Sequence, residues 1–205
     1  MAIRCAQTRH DQLLYKPPHT GGALAWHQDA PLWPILHPDQ SFTMVSAWIP
    51  LDSVDADNGA LRMVPGSYRW GDRMETLREI GGGGKDTLDD SGFGAIEPPS
   101  SSPGGGGGGG AALASQPCVV ARGEVHFHHA LTWHGSGANL SDRPRRAHAV
   151  HYMRADTRYV ASRDHVMKQH VLCADGQLMS SAGPHFPRVS DSTGRVLGAI
   201  ELPTE

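Results

Sequence analysis

The stretch Trp26-His27-Gln28-Asp29 places an imidazole and a carboxylate two residues apart at the end of an apolar run. Side chains on a strand alternate between faces, so His27 and Asp29 are predicted to share one face, opposite Trp26 and Gln28. A buried carboxylate is costly unless a cation or hydrogen-bond donors compensate its charge. A histidine and a carboxylate that converge are two of the three ligands of the facial triad that holds non-haem Fe(II). The sequence therefore predicts a metal site whose third ligand lies elsewhere in the chain.

Several histidines in the second half of the chain are candidates for that third ligand: His126, His128, His129, His134, His148 and His151. His134 stands out because it precedes Gly135-Ser136-Gly137, where the backbone can approach a bound ligand closely. His126 and His128 share a strand face, like the HxH pair of a cupin. A cupin site would also need a following glutamate, and none occurs before Glu201. We interpret these two as core residues or as neighbours of the metal ligands.

A second HxD sequence, His37-Pro38-Asp39, competes with the first. Pro38 cannot donate to a strand ladder, so the segment is predicted to be a loop whose side chains share no fixed face. We interpret it as a solvated turn and assign the metal ligands to His27 and Asp29.

Length and charge restrict the classes of protein to consider. With 205 residues the chain is long enough for one domain with a sizeable core, and we predict a single domain over residues 1–205. The net charge of −3 gives no electrostatic signal for nucleic acid or an anionic membrane, so a small-molecule partner is expected. The sequence leaves the oligomeric state open.

The three cysteines are widely spaced without a CxxC pair, which indicates neither a disulfide framework nor a thiolate zinc site. The first residues lack the apolar segment of a signal peptide, and no apolar run is long enough to span a bilayer. A cytoplasmic location is therefore expected. Residues 81–116, with glycines at every position from Gly104 to Gly110, are predicted to form a flexible insertion.

Short apolar segments separated by turn residues predict many strands and little helix, as in a sandwich or barrel. The candidate strands are Gln12–Lys16, Ala23–Asp29, Phe42–Leu51, Ala60–Val64, Val125–His129 and Arg145–Met153. The first two are expected to be neighbours, and Phe42–Leu51 is expected in the middle of a sheet. A weak helical period follows Trp70. Alternation places Arg145, Ala147, Ala149 and His151 on one face of the last strand and Arg146 on the other.

Six motifs occur in this order: YKPP, WHQD, VSAWIPLD, DNGALRMVPGSY, GEVHFHHALTWHGSGAN and RPRRAHAVHYM. From Gln12 to Met153, apart from the glycine-rich insertion, the chain resembles the phytanoyl-CoA dioxygenase family of Fe(II)- and 2-oxoglutarate-dependent oxygenases. The resemblance implies a double-stranded β-helix, the cupin-like jelly roll. It also implies an enzyme that hydroxylates an unactivated C–H of a small-molecule or acyl substrate with O₂, converting 2-oxoglutarate to succinate and CO₂.

The resemblance also implies roles for individual residues. His27, Asp29 and His134 would bind Fe(II). Arg145, eleven residues after His134, would pair with the distal carboxylate of 2-oxoglutarate, since its guanidinium can bind a carboxylate through two hydrogen bonds. Three further positions would lie near the co-substrate: Ser136, Trp48 and Gln12. Asp29 argues against a halogenase, because halogenases related to the family leave that ligand position open for halide.

Family members usually carry a long helical region before the first of these motifs, whereas eleven residues precede Gln12 here. An exposed apolar sheet face or a partner chain is therefore expected. The alternative function is a non-catalytic jelly-roll protein that binds a metal or ligand without turnover.

Overall fold

The computed structural model describes residues 6–37, 43–80, 114–191, 193 and 195–197, and within these ranges the chain is mainly β. Its strands are β1 (Ala6–Lys16), β2 (Leu24–His27), β3 (Val45–Pro50), β4 (Leu61–Met63), β5 (Gln116–Pro117), β6 (His126–His129), β7 (His134–Ser136) and β8 (Arg145–Arg154). Within the described ranges the structure has one α-helix, α1 (Met74–Ile80), and short 3₁₀ helices at Ala30–Leu32, Ser67–Trp70, Val166–His170 and Met179–Ser181.

The strands form two antiparallel sheets of four strands each, in the orders β1-β8-β3-β6 and β2-β7-β4-β5. The two sheets pack against each other, because one buried cluster combines Trp48, Ala147 and Ala149 of the first with Leu61 and Met63 of the second. The predicted mainly β jelly roll is therefore confirmed.

Strand β8 shows why the first sheet has one buried face. Its residues alternate between buried and more exposed positions from Arg145 onward, so that Arg145, Ala147, Ala149 and His151 all point inward. Trp48 of β3 lies beside Ala149 in register and points the same way. The face assignment made from alternation is therefore correct, and β3 lies inside the sheet as expected.

The outer face of the same sheet carries exposed apolar side chains. Leu13 and Tyr15 on β1 are 80% and 62% exposed, and Phe127 on β6 is 63% exposed. Within the described residues, no helix is both long and apolar enough to cross a bilayer.

Two details differ from the expectations. Strand β1 begins at Ala6 and pairs with β8, so the expectation that the first two strands are neighbours is wrong. Strand β2 pairs with β7 and ends at His27, two residues earlier than predicted. The pairing of β1 with β8 joins segments far apart in sequence, which a local pattern cannot reveal.

The weak helical period after Trp70 corresponds to α1, which begins at Met74. The insertion predicted at 81–116 lies almost wholly outside the described residues. Its last residue, Gln116, pairs with Met63 as part of β5.

The side chain of Gln28 joins three segments behind the metal-site candidates. It is fully buried, donates to the carbonyl oxygens of Gly71 (2.9 Å) and Leu131 (2.7 Å), and accepts from the backbone N–H of Arg73 (2.7 Å). Gln28 therefore anchors the end of β2 to the loop before α1 and the turn before β7.

We expect Gln28→Leu to lower the free energy of unfolding by about 3 kcal/mol, because it leaves buried backbone groups without partners. Urea unfolding followed by circular dichroism measures the change. Gln169→Leu is the matched control, since Gln169 is exposed and makes one local bond to Val166. It should cost less than about 0.5 kcal/mol. Equal stability of the two variants would show that the Gln28 bonds add nothing.

Candidate metal centre

His27 and His134 face each other across the β2–β7 pair. They are direct partners in the antiparallel register, and their ring centroids lie 4.1 Å apart. Asp29 lies two residues beyond the strand, before a 3₁₀ helix, with φ −71° and ψ −43°. The carboxylate thus reaches the histidines because the chain turns after His27. A shared strand face, the reason given from the sequence, does not apply, because Asp29 is outside the strand.

The three side chains bring their ligand atoms together. Asp29 Oδ1 lies 3.9 Å from His27 Nε2 and 3.6 Å from His134 Nε2. Among the described residues, this is the group of histidine, cysteine and acidic side chains whose ligand atoms all lie within 4.8 Å of one another. The metal-site candidates chosen from the sequence are therefore assembled at one point.

Hydrogen bonds to the backbone select the tautomer of both imidazole rings. His27 Nδ1 lies 2.8 Å from the carbonyl oxygen of Ala25, and His134 Nδ1 lies 2.9 Å from that of Thr132. A carbonyl only accepts, so each Nδ1 carries a proton and donates. In the neutral rings the Nε2 lone pairs are then free and face Asp29 Oδ1. Three lone pairs that converge with no proton between them form a donor set suited to a divalent cation.

The electrostatics of the two most buried groups agree with this arrangement. Burial by itself would raise the pKa of Asp29, but the imidazoles of His134, His128 and His151 hold it well below its usual value. Burial, reinforced by the neighbouring His27, holds the pKa of His134 well below its usual value. Near neutral pH the site therefore contains an ionised carboxylate and a neutral His134, the forms in which both bind metals.

The second oxygen of Asp29 is surrounded by hydrogen-bonding side chains. Ser46 Oγ lies 2.6 Å and His128 Nε2 lies 3.2 Å from Oδ2. His151 Nδ1 lies 2.7 Å from Ser46 Oγ and 3.7 Å from Oδ2. The interpretation of His128 as a core residue or neighbour of the ligands agrees with its place here. Ser46 was missed, although alternation from Trp48 places it on the inner face.

A second group of buried polar atoms lies around Arg145. Its side chain is 3% exposed, its guanidinium carbon lies 5.3 Å from the centre of the Trp48 ring, and burial lowers its pKa to about 10. Arg145 Nε, Trp48 Nε1 and Ser136 Oγ are among the buried side-chain atoms that lack a hydrogen-bond partner within the described residues. Unpaired buried polar groups are costly, and a bound ligand with acceptor oxygens would satisfy them.

Lys16 adds a second buried cation beside Arg145. The two residues are partners in the β1–β8 register. Lys16 Nζ donates to the carbonyl oxygens of Gly22 and Gly137. Burial, and then the charge of Arg145, lowers the pKa of Lys16 to about 8. In the described part of the chain neither cation has a carboxylate partner, so the site favours an anionic ligand.

A cavity of about 690 Å³ is lined by the three metal-site candidates together with Trp48 and the exposed Gln12. Arg145 and Ser136 are not in its lining. Ser136 is fully buried on β7, opposite Leu24 and Leu61, both of which line the cavity. The co-substrate candidates therefore divide into two that face the open space and two that lie deeper.

Of the second HxD motif, the structure describes only His37. His37 is exposed, and its backbone N–H bonds to the carbonyl oxygen of Arg158. Asp39 lies outside the described residues. Among those residues, His37 is not part of the group of potential metal ligands.

Comparisons with known proteins identify relatives of the chain. The family model described as Phytanoyl-CoA dioxygenase (PhyH) matches residues 1–147. Phytanoyl-CoA dioxygenase domain-containing protein 1 of Bos taurus is 30% identical over 142 residues, which cover 69% of this chain and 43% of the relative. Peroxisomal phytanoyl-CoA dioxygenase of Homo sapiens is 26% identical over 154 residues, with coverage of 74% and 40%. The matched regions thus span less than half the length of these curated relatives.

Among solved structures, the non-heme alpha ketoglutarate dependent carbocyclase SnoK from nogalamycin biosynthesis is similar to this chain. The TM-score is 0.64 and the sequence identity 25%, over 91% of this chain and 63% of SnoK.

Proposed function

Because this chain belongs to the phytanoyl-CoA dioxygenase family, we propose that it is a non-haem Fe(II)- and 2-oxoglutarate-dependent oxygenase. Its substrate would be a small molecule or an acyl compound, hydroxylated at an unactivated C–H with conversion of 2-oxoglutarate to succinate and CO₂. The observation that carries the proposal is the convergence of two free Nε2 lone pairs and one carboxylate oxygen at a single point.

The donor set fits Fe(II). Two neutral imidazoles and one carboxylate make up the facial triad of non-haem iron oxygenases, which leaves positions open for other ligands. His27, His134 and Asp29 would hold the ion, which when bound supplies the redox chemistry that activates O₂. The ionised carboxylate of Asp29 would then partly balance the charge of the ion in a buried place, while the imidazoles would donate lone pairs.

The residues around Arg145 fit the co-substrate. The Arg145 guanidinium is buried beside a second cation, Lys16, and would pair with the distal carboxylate of 2-oxoglutarate. Ser136 Oγ and Trp48 Nε1, which lack partners in the described chain, would contribute further hydrogen bonds. Gln12 lies at the exposed side of the cavity and would contact the co-substrate or the entering substrate.

The reaction outcome needs its own test, because the similar structure of SnoK is that of a carbocyclase. Hydroxylation is the outcome we propose for this chain. The 690 Å³ cavity, whose lining includes Leu24, Leu32 and Met74, is large enough for 2-oxoglutarate together with part of an apolar substrate.

The test has two stages. Anaerobic titration of the Fe(II) protein with 2-oxoglutarate should produce the metal-to-ligand charge-transfer absorption of the chelate. Exposure to O₂ should then yield succinate, and a panel of acyl compounds and small natural products should identify substrates that stimulate it and gain one oxygen atom. Fe(II) and 2-oxoglutarate binding without succinate would indicate the non-catalytic binding protein instead. Absence of Fe(II) binding would contradict the proposed oxygenase.

A further inference from the structure

We propose that Ser46 and His128 hold Oδ2 of Asp29 so that only Oδ1 is presented to the metal ion. This role rests on the proposed function, since it concerns the same Fe(II) site. Both residues are positioning residues that act through Asp29, and they come from β3 and β6, in the sheet opposite His27 and His134.

The two oxygens of the Asp29 carboxylate have different surroundings. Oδ2 accepts from Ser46 Oγ at 2.6 Å and from His128 Nε2 at 3.2 Å. Oδ1 faces His27 Nε2 and His134 Nε2, whose protons are on Nδ1. One oxygen therefore has two donors, while the other is directed at two lone pairs.

The direction of the Ser46 hydroxyl follows from its neighbours. The hydroxyl has one hydrogen, and an ionised carboxylate can only accept, so Ser46 donates to Asp29. His151 Nδ1, 2.7 Å from Ser46 Oγ, must then carry a proton and donate to the serine oxygen. This arrangement directs the serine hydrogen at Oδ2.

His128 is placed to orient Asp29 without becoming a ligand itself. Its Nε2 bonds to a carboxylate oxygen and must therefore carry a proton, which blocks the lone pair needed for a metal. In agreement with this, His128 is not part of the group of described side chains that could hold an ion. It is buried, and its ring lies 4.6 Å from that of His134, so it has little freedom to move.

The chemical consequence is a carboxylate that binds through one oxygen. Turning Oδ2 toward the metal would break two hydrogen bonds in a buried place, where each lost bond is costly. Binding through one oxygen leaves open the positions that a facial triad needs for 2-oxoglutarate and O₂. The HFH sequence, which resembles a cupin metal motif, therefore serves in this chain to orient a ligand.

Co(II) binding to the full chain tests the proposal without turnover. We expect Ser46→Ala and His128→Phe each to weaken Co(II) binding by about 10- to 100-fold, the usual effect of removing a hydrogen bond to a ligand. The ligand-field absorption bands of bound Co(II) should shift in both variants. His128→Gln, whose side-chain amide can again donate to Oδ2, should recover most of the affinity and the wild-type spectrum.

The control is His148→Phe. His148 Nε2 lies 2.9 Å from a carboxylate oxygen of Asp11, on the opposite face of the same sheet. Like His128, it is a histidine paired with an aspartate, but it lies away from the metal site. This variant should bind Co(II) like the wild type. Circular dichroism of the metal-free proteins verifies that each variant folds. If His128→Phe does not fold, the Co(II) affinities of Ser46→Ala and His128→Gln still test the proposal.

Two results would overturn the proposal. One is Co(II) affinity and spectra unchanged in both Ser46→Ala and His128→Phe. The other is complete loss in His128→Phe, no rescue in His128→Gln and no effect of Ser46→Ala, which would make His128 a ligand. A wild-type protein that binds no Co(II) and no Fe(II) would instead contradict the proposed function itself.

Discussion

His134→Ala is expected to abolish tight Fe(II) binding. The alanine removes one of three ligand atoms that converge on a buried point, and no other described histidine or acidic side chain joins that group. Loss of a hydrogen bond to a ligand already costs about 10- to 100-fold in affinity, so loss of a ligand should cost more than about 100-fold. His27→Ala and Asp29→Ala should act in the same way. Anaerobic titration against a competing chelator measures the affinity.

His37→Ala is the matched control for this series, because His37 belongs to the other HxD motif and is exposed. It should bind Fe(II) like the wild type, and we expect the same of Asp39→Ala. If His37 were required and His27 dispensable, the metal would have been assigned to the wrong motif. Thermal unfolding of the metal-free variants distinguishes the loss of a ligand from the loss of the fold.

The second large effect is expected for Arg145→Lys, which should weaken 2-oxoglutarate binding while Fe(II) binding persists. A lysine ammonium cannot reproduce the two parallel hydrogen bonds of a guanidinium. It would also place a second ammonium opposite Lys16, in a site where burial already disfavours charge. The expected cost is about 1.5–3 kcal/mol, the range for hydrogen bonds to charged groups, hence about ten- to a hundred-fold in affinity. Titration of the charge-transfer absorption measures it.

Arg146→Lys provides the control on the adjacent residue. Arg146 points outward and bonds to Asp52 through Nε at 3.0 Å and Nη2 at 2.6 Å. Exposed ion pairs contribute little, so this variant should bind both Fe(II) and 2-oxoglutarate as the wild type does. Equal affinity in wild type and Arg145→Lys, or a larger loss in Arg146→Lys, would remove the co-substrate role of Arg145.

Local sequence patterns were sufficient for the fold class, the residues assembled at the candidate metal centre and the direction of one important side chain. Short turn-separated apolar segments predicted a sandwich or barrel, and the resemblance to a known family specified the jelly roll. Alternation along β8 separated Arg145 from Arg146 correctly. The HxD motif in an apolar segment and the histidine before Gly135 are close in space, as predicted. The strand and face predictions use a period within one segment, which short-range sterics set. The grouping of His134 with His27 and Asp29 joins distant segments and was implied by the resemblance to a known family.

The tertiary structure decided which segments became neighbours. Pairing of β1 with β8 rather than β2 depends on the order of strands in the sheets, which no single segment encodes. The conformation of Asp29 likewise depends on packing after β2, where the chain turns into a 3₁₀ helix. Ser46 and His128 meet Asp29 across sequence separations of 17 and 99 residues. Their contacts exist because the two sheets pack face to face. The hydrophobic pattern of a strand decides which side chains point inward, but the register between distant strands decides which of them become neighbours. That register places these two donors beside one oxygen of the carboxylate.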